Sequence, residues 1–330
     1  MVIALIALAL VFDFLNGLHD SSNIVATMIS SRAFSPTLAL GVVAVAEFTG
    51  PFLFGVAVAK TIGEDVVQPH TITMEVILAA LIGAIFWNLI TWFLGIPSSS
   101  SHALIGGFLG AVMVGAGFEV IVVSGLEKIL IALFLSPILG FVVGFLLTKI
   151  IFFLARRATP KINNFFSRSQ LLTSLALAFS HGTNDAQKTM GVITLGLVTS
   201  GVIQEFHVPT WVIGASAGAI ALGTAFGGWR LIKTLGGKFY KIRPVHSFSA
   251  QLASASVIIT ASLFGGPVST TQVVSSAIIG VGSSERFSKV RWGVAVDIVT
   301  AWIITIPATG LVSAGIYWLL TNVEWLTRFF

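Results

Sequence analysis

The chain has 330 residues, of which 55% are hydrophobic and 9% charged, with a formal net charge of +5, and its mean hydropathy is +0.98. Soluble domains carry charge on roughly a quarter of their residues, so the composition excludes a soluble domain and predicts a polytopic helical membrane protein. The lack of cysteine excludes disulfides and thiolate catalysis. The basic residues lie in loops beside apolar segments, a distribution that does not indicate nucleic-acid binding.

Apolar segments of near-spanning length recur along the chain. They cover residues 1–29, 37–59, 75–94, 98–117, 129–154, 171–200, 209–229, 247–265, 268–281 and 292–321. The first lacks the basic region and the A-x-A site of a signal peptide, so we interpret it as a span. Segments 98–117 and 268–281 are short and begin with polar residues, so each is either a full span or a re-entrant half-helix.

The loop charges predict the topology. The loop at 155–170 contains Arg156, Arg157, Lys161 and Arg168 and no acid, and the loop at 230–243 is also basic. The positive-inside rule places both in the cytoplasm, and the acidic loop at 60–75 and both termini outside. We therefore predict a first transmembrane repeat at 1–154, a cytoplasmic linker at 155–170 and a second repeat at 171–330.

Two motifs occur twice in the same order. Alignment of "NGLHDSSN" (16–23) with "HGTNDAQK" (181–188) matches Gly17 with Gly182 and Asp20 with Asp185. Alignment of "LGIPSSSSH" (94–102) with "FGGPVSTTQ" (264–272) matches a glycine, a proline and a serine. Nearly equal spacing of the two motifs indicates an internal repeat, and the opposite charge of equivalent loops indicates inverted insertion. Inverted repeats with broken helices are typical of transporters.

The first motif pair predicts a cation site. A glycine beside polar residues within a span indicates an unwound helix with exposed backbone groups. An ionised aspartate in the membrane costs a few kcal/mol, so it needs a cation or a proton. The candidate cation or coupling residues are His19, Asp20, Asn23, Asn184 and Asp185, with Asp20 and Asp185 as sodium ligands if sodium is the coupling ion. The alternative is ordinary hydrogen bonding between helices.

The second motif pair predicts an anion site. Each motif places hydroxyls at a helix start, where free N–H groups and the helix dipole suit a tetrahedral oxyanion. Two such starts would form a clamp, and ordinary capping without a ligand is the alternative. Lys188 either supplies charge to the anion or pairs with an acid. The candidate anion-binding residues are Ser98, Ser99, Ser100, Ser101, Ser269, Thr270, Thr271, Gln187 and Lys188.

An anion site beside acids predicts coupled transport. Moving charge against a negative interior costs about 2.3 kcal/mol per charge for each 100 mV, hence about 4.6 kcal/mol for a dianion. A passive channel would exclude the anion. Uptake therefore needs co-transported cations, and Asp20 and Asp185 provide a place for them.

The four motifs, together with "AWIITIP" at 301–307, resemble those of the inorganic phosphate transporter (PiT) family and more closely its short bacterial low-affinity members. The resemblance covers nearly the whole chain. It implies phosphate uptake, free or as a metal–phosphate complex, coupled to co-transported sodium or protons with no other cofactor. It also implies an inverted-repeat fold in the cell membrane and a homodimer. The family's long central loop is absent here.

One residue departs from the family pattern. His19 stands where many members have asparagine in G-x-N-D, while its counterpart Asn184 keeps the pattern. A titratable histidine beside Asp20 favours protons, although it could equally donate a hydrogen bond to the carboxylate.

Three other functions fit parts of the sequence. Sulfate is also a tetrahedral oxyanion, but ionised acceptors near the ligand favour phosphate, which can be protonated. "GASAG" (214–218) matches the G-x-S-x-G motif of hydrolases. That motif needs a strand–turn–helix elbow, which this alanine-rich span cannot provide. We therefore expect Gly214 and Gly218 to form a helix-packing face instead. A structural metal site of His19, His102 and His181 lacks supporting spacing.

Several other polar residues lie within or near spans. Glu47 is a candidate third acid, with a structural bond as the alternative, and Asn88 is a candidate site-lining residue. Gln251 is a candidate for either role, lining the site or making a structural bond. We assign no function to Asp13 and Asp297, which lie nearer the span ends.

Overall fold

The computed structural model describes residues 1–31, 33–67, 71–229, 232 and 242–323, a part of the chain that is almost entirely helical. Its α-helices are α1 (Val2–Ser30), α2 (Pro36–Leu53), α3 (Ala57–Lys60), α4 (Met74–Leu94), α5 (Ser100–Gly115), α6 (Val123–Ala155), α7 (Ile162–Thr199), α8 (Thr210–Phe226), α9 (Pro244–Leu263), α10 (Thr270–Glu285) and α11 (Trp292–Asn322). The predicted all-α class is confirmed. Most of the basic 230–243 loop lies outside the described residues.

Helix lengths distinguish spanning from re-entrant segments. In the described part, α1, α2, α4, α6 and α11 are the five helices long and apolar enough to span a bilayer. Helices α5 and α10 have 16 residues each, which at 1.5 Å per residue is about 24 Å, less than the hydrocarbon thickness of about 30 Å. Of the two alternatives for these segments, the lengths favour the re-entrant half-helix.

The connection between the two halves is shorter than the predicted linker. Helix α7 begins at Ile162, inside the 155–170 stretch that we interpreted as a loop. The reason is an aromatic contact, because Phe166 is 6% exposed and its ring centroid lies 5.4 Å from that of Phe248 on α9. Burial of this ring stabilises the early turns of α7 despite the flanking basic residues.

Equivalent helices of the two halves make equivalent contacts. Helices α1, α2, α4, α5 and α6 correspond to α7, α8, α9, α10 and α11. Helix α6 packs on α10 as α11 packs on α5, and α1 packs on α8 as α7 packs on α2. On the pseudo-two-fold axis that relates the two halves, His102 of α5 contacts its own counterpart, Gln272 of α10, with their Nε2 atoms 3.3 Å apart. This pairing is the pattern that two inverted repeats produce.

The helix breaks lie in the turns that precede the two half-helices. Gly95 and Gly265 both have a φ of 69°, a left-handed conformation that glycine adopts without strain. Beyond each turn a serine caps the half-helix, since Ser99 accepts from the His102 N–H at 3.1 Å and Ser269 accepts from the Gln272 N–H at 3.3 Å. Each turn therefore presents a capped helix N-terminus inside the protein.

The predicted unwinding at Gly17 and Gly182 is wrong, because α1 and α7 run through these glycines without interruption. Both positions are sites of close helix packing instead. A Cβ at Gly17 would lie 2.1 Å from the carbonyl oxygen of Ile220, and one at Gly182 would lie 2.4 Å from that of Glu47. Glycine therefore lets α1 approach α8, and α7 approach α2, as in other tightly packed membrane helices.

Candidate functional site

The two motif aspartates meet at the N-terminus of α10. Asp20 on α1 and Asp185 on α7 are both fully buried. The Thr270 hydroxyl lies within hydrogen-bond distance of both carboxylates, 3.3 Å from Asp20 Oδ2 and 2.8 Å from Asp185 Oδ2. The Thr271 hydroxyl donates to Asp20 Oδ1 at 2.8 Å. The two predicted cation-binding aspartates and two predicted anion residues therefore form one cluster.

His181 connects this cluster to Glu47. Its Nε2 lies 3.1 Å from Asp185 Oδ2 and 3.6 Å from Asp20 Oδ2, and its Nδ1 lies 2.7 Å from Glu47 Oε1. One ligand atom each from Asp20, His181 and Asp185 lie within 4.8 Å of one another. Two carboxylates and an imidazole at this spacing are able to hold a cation. Burial and this contact support Glu47 as the third acid of the site.

Lys188 extends the cluster to the N-terminal turn of α5. Its side chain is buried, its ammonium contacts Asp185 Oδ1, and it donates to Ser101 Oγ at 2.6 Å and to the Val268 carbonyl at 2.9 Å. The Ser101 hydroxyl also donates to the Val268 carbonyl at 3.2 Å. Of the two alternatives for Lys188, the structure shows the pairing with an acid.

Two further predicted cation residues lie on α1 beside Asp20. His19 Nδ1 lies 3.2 Å from Asp20 Oδ1. Asn23 Nδ2 donates to Thr271 Oγ1 at 3.1 Å, while its Oδ1 finds no hydrogen-bond partner among the described residues. A carboxylate with a neighbouring free amide oxygen is suited to a small hard cation.

Asn184 and Gln187 contact the scaffold instead. Asn184 donates to Ser262 Oγ at 2.8 Å and to the Gly266 carbonyl at 3.1 Å, which fixes α7 to the turn before α10. Gln187 Oε1 accepts from the backbone N–H groups of Val58 and Ala59, at 2.8 and 3.3 Å. In this conformation Gln187 faces α3, so the expectation that it faces the anion with Lys188 is not met.

The predicted serines divide among several roles. Ser98 accepts from Trp87 Nε1 at 3.1 Å and lies 3.0 Å from Thr305 Oγ1, on the side of α4 and α11. Ser99 and Ser269 are the helix caps already described. Ser100 donates to Asn16 Oδ1 at 2.7 Å and so joins α5 to α1. Ser101 is the α5 serine that contacts Lys188.

Sequence reasoning missed two buried residues. The sequence suggests His181 only as part of a histidine metal site, whereas in the structure its neighbours are acids. Asp13 is expected near a span end, yet it is fully buried. It lies two helical turns before Asp20, on the same face of α1, and this spacing was the available signal. Gln251 has a structural role, because it accepts from Thr173 at 2.6 Å.

The "GASAG" motif carries no catalytic geometry. It lies within the continuous helix α8, which has no strand–turn–helix elbow. Within the described part of the chain its glycines make no helix-packing contact, because a Cβ at Gly214 or Gly218 would meet no described atom of another helix within 4 Å. Both glycines face away from the neighbouring helices.

The sequence matches the phosphate transporter family over residues 16–313. The chain belongs to this family. This transporter is 47% identical over 319 residues to a "Probable low-affinity inorganic phosphate transporter" of Rhizobium meliloti, with 96% of each chain covered. It is 46% identical to a protein of the same description from Bacillus subtilis, with 98% of each covered.

A solved structure described as "The sodium-dependent phosphate transporter" shares the fold, with a TM-score of 0.89 and 25% sequence identity. The match covers 98% of this chain and 99% of that one. The chain is therefore a multi-pass phosphate transporter of the cell membrane and not an enzyme. The helical fold, the family match and the buried polar cluster are all consistent with a membrane transporter.

Proposed function

We propose that this transporter moves phosphate into the cell by symport, with a cation held by Asp20, His181 and Asp185 and the phosphate at the N-terminus of α10. One observation carries the proposal, which is the contact of the Thr270 hydroxyl with both aspartates. The same helix start that suits an anion is thus occupied by two acids.

Electrostatics explains why this arrangement couples the two ions. Free N–H groups and the helix dipole favour an anion at the start of α10. Two ionised carboxylates at that start repel it, and in a buried site the repulsion is weakly screened. A cation between the carboxylates removes the repulsion and frees the threonine hydroxyls. Phosphate then binds strongly only when the cation is present, and by linkage the cation binds more tightly when phosphate is present.

The second half-helix completes the anion site. Ser101 of α5 and Lys188 both reach the Val268 carbonyl, immediately before α10. The starts of α5 and α10 therefore lie next to each other, as the clamp requires. The acids, Lys188, His181 and the two threonines are each at most 2% exposed. This conformation is closed, so ion access requires the half-helices to move.

The coupling cation is sodium or a proton. The similar solved structure is described as that of a sodium-dependent transporter, which favours sodium. His19 beside Asp20 favours protons. A homodimer remains a prediction from the family resemblance.

The test is uptake of radiolabelled phosphate into proteoliposomes under an imposed sodium gradient or an imposed proton gradient. We expect concentrative uptake under one gradient, at least a hundredfold loss in Asp20→Asn, and little change in the matched control Asp297→Asn, whose side chain is exposed. Unlabelled phosphate should compete at a much lower concentration than sulfate. Uptake that needs neither gradient, or that survives in Asp20→Asn, contradicts the proposal.

A further inference from the structure

Lys188 occupies the position in the second repeat that Asn23 occupies in the first. The alignment that matches Asp20 with Asp185 also matches these two residues, each one helical turn after its aspartate. The neighbours are equivalent as well, because Asn23 contacts Thr271 of α10 and Lys188 contacts Ser101 of α5. The two halves therefore place a neutral amide and a fixed positive charge at equivalent points.

The atoms around the Lys188 ammonium form an oxygen cage. They are a carboxylate oxygen of Asp185, the hydroxyl of Ser101 at 2.6 Å and the carbonyl of Val268 at 2.9 Å. Three oxygens match the three N–H donors of an ammonium group. The same oxygen types bind small hard cations, and transporters use carbonyls of unwound segments for this purpose. Val268 lies in such a segment, between α9 and α10.

We propose that the Lys188 ammonium is a tethered substitute for a second transported cation, so that the cluster of Asp20, His181 and Asp185 takes one free ion and not two. The inference rests on the proposed symport. Lys188 neutralises Asp185 and stays with the protein throughout the cycle. The single free cation that travels with phosphate lies on the Asp20 side of this cluster, where the amide oxygen of Asn23 has no partner among the described residues.

Two consequences follow for transport. The ammonium supplies positive charge next to the anion clamp without being carried across the membrane, so each phosphate enters with one free cation fewer than two equivalent halves would require. Replacing Lys188 with the residue of the first repeat should vacate the oxygen cage and leave the negative charge of Asp185 uncompensated. A sodium ion should then bind there.

The test is equilibrium binding of radiolabelled sodium to the purified full-length protein, without phosphate and at constant pH. We expect Lys188→Asn to bind one more sodium ion per chain than the wild type. Lys188→Met, whose new side chain supplies no oxygen, should bind less sodium in the vacated oxygen cage than Lys188→Asn. The double variant Asp185→Asn, Lys188→Asn should lose the additional ion because the carboxylate is gone.

The reciprocal variant Asn23→Lys should bind one sodium ion fewer than a wild type that binds sodium at the Asp20 half, and its phosphate uptake should lose its cation dependence. Equal sodium binding by folded Lys188→Asn and wild type, judged by size-exclusion chromatography, overturns the inference. If Lys188→Asn does not fold, Lys188→Gln is measured in its place with the same criterion. Failure of the symport itself would appear separately, as wild-type uptake that ignores both gradients.

Discussion

The surroundings of Asp20 and Asp185 differ although the two residues hold equivalent positions. His181 contacts both carboxylates, but Asp20 also has His19 beside it and a nearby amide oxygen without a partner among the described residues. Asp185 has a lysine ammonium in direct contact. The repeat supplies the same helix, the same carboxylate and the same half-helix start twice. Substitutions around each aspartate then give the two copies different electrostatic roles.

The helix packing around the two motifs is the same, although the charged neighbours of their aspartates differ. Gly17 and Gly182 each meet a backbone carbonyl of a helix from the other half. These contacts set how closely α1 and α7, which carry the two aspartates, approach α8 and α2. The comparison therefore predicts equal effects from packing changes and unequal effects from charge changes.

The largest effect is expected from filling the glycine contacts. Gly17→Val and Gly182→Val should both prevent accumulation of folded protein, because the added Cβ would overlap a backbone oxygen that has no alternative rotamer. Even overpacking against movable side chains costs about 1–3 kcal/mol. The control is Gly214→Val, which should accumulate like the wild type because no described atom lies near. Fluorescence-detected size-exclusion chromatography of detergent extracts measures all three, and accumulation of only one glycine variant would break the equality of the halves.

A smaller and unequal effect is expected from neutralising the aspartates. Asp185→Asn leaves the Lys188 ammonium buried without its counter-charge and should lower stability by about 3–5 kcal/mol. Asp20→Asn keeps hydrogen-bonding capacity and should lose about 1–2 kcal/mol. The measurement is the midpoint of thermal unfolding in detergent.

The double variant Asp185→Asn, Lys188→Met is the control for this difference. It should recover much of the stability lost in Asp185→Asn, because it removes the unpaired charge together with its partner. A loss in Asp20→Asn as large as that in Asp185→Asn would show that Lys188 does not distinguish the halves.

The smallest effect is expected from the half-helix caps. Ser269→Ala should cost about 1 kcal/mol, the usual value of an N-cap. Ser99→Ala should cost more, by about 0.5–1.5 kcal/mol, because Ser99 Oγ also lies 2.8 Å from His102 Nδ1. Thermal midpoints of the two single variants give the difference. A larger loss for Ser269→Ala would reverse the expected order.

Much of the fold could be predicted from the sequence because the bilayer restricts the options. Segment lengths, loop charges and a duplicated motif indicated inverted helical repeats, and the glycine–proline turns indicated the half-helix starts. The helix breaks expected at Gly17 and Gly182 are wrong for a physical reason. A glycine in a polar stretch suits both an unwound helix and a close contact, and only the neighbouring helix, here α8 or α2, decides between them.

The composition of the site could be predicted better than its internal partners. Asp20, Asp185, Thr270 and Thr271 follow from the motifs, and the structure brings them together. Gln187 was expected at the anion and faces α3 instead, because neighbouring side chains on α7 diverge around the helix. The i,i+4 spacing of His181 and Asp185 on α7 could have indicated their contact. The other acidic neighbours of His181, Asp20 and Glu47, could not be predicted, because they come from α1 and α2, which sequence spacing does not relate to α7.

The contact between His102 and Gln272 is one that only two unequal halves can make. A position on the axis that relates the two halves faces its own copy, so two identical halves would place the same residue on both sides. A carboxamide carries a donor and an acceptor and can pair with itself, whereas two imidazoles do so only with matched tautomers. The two halves of this chain differ in sequence and are free of that constraint, so a histidine stands opposite a glutamine.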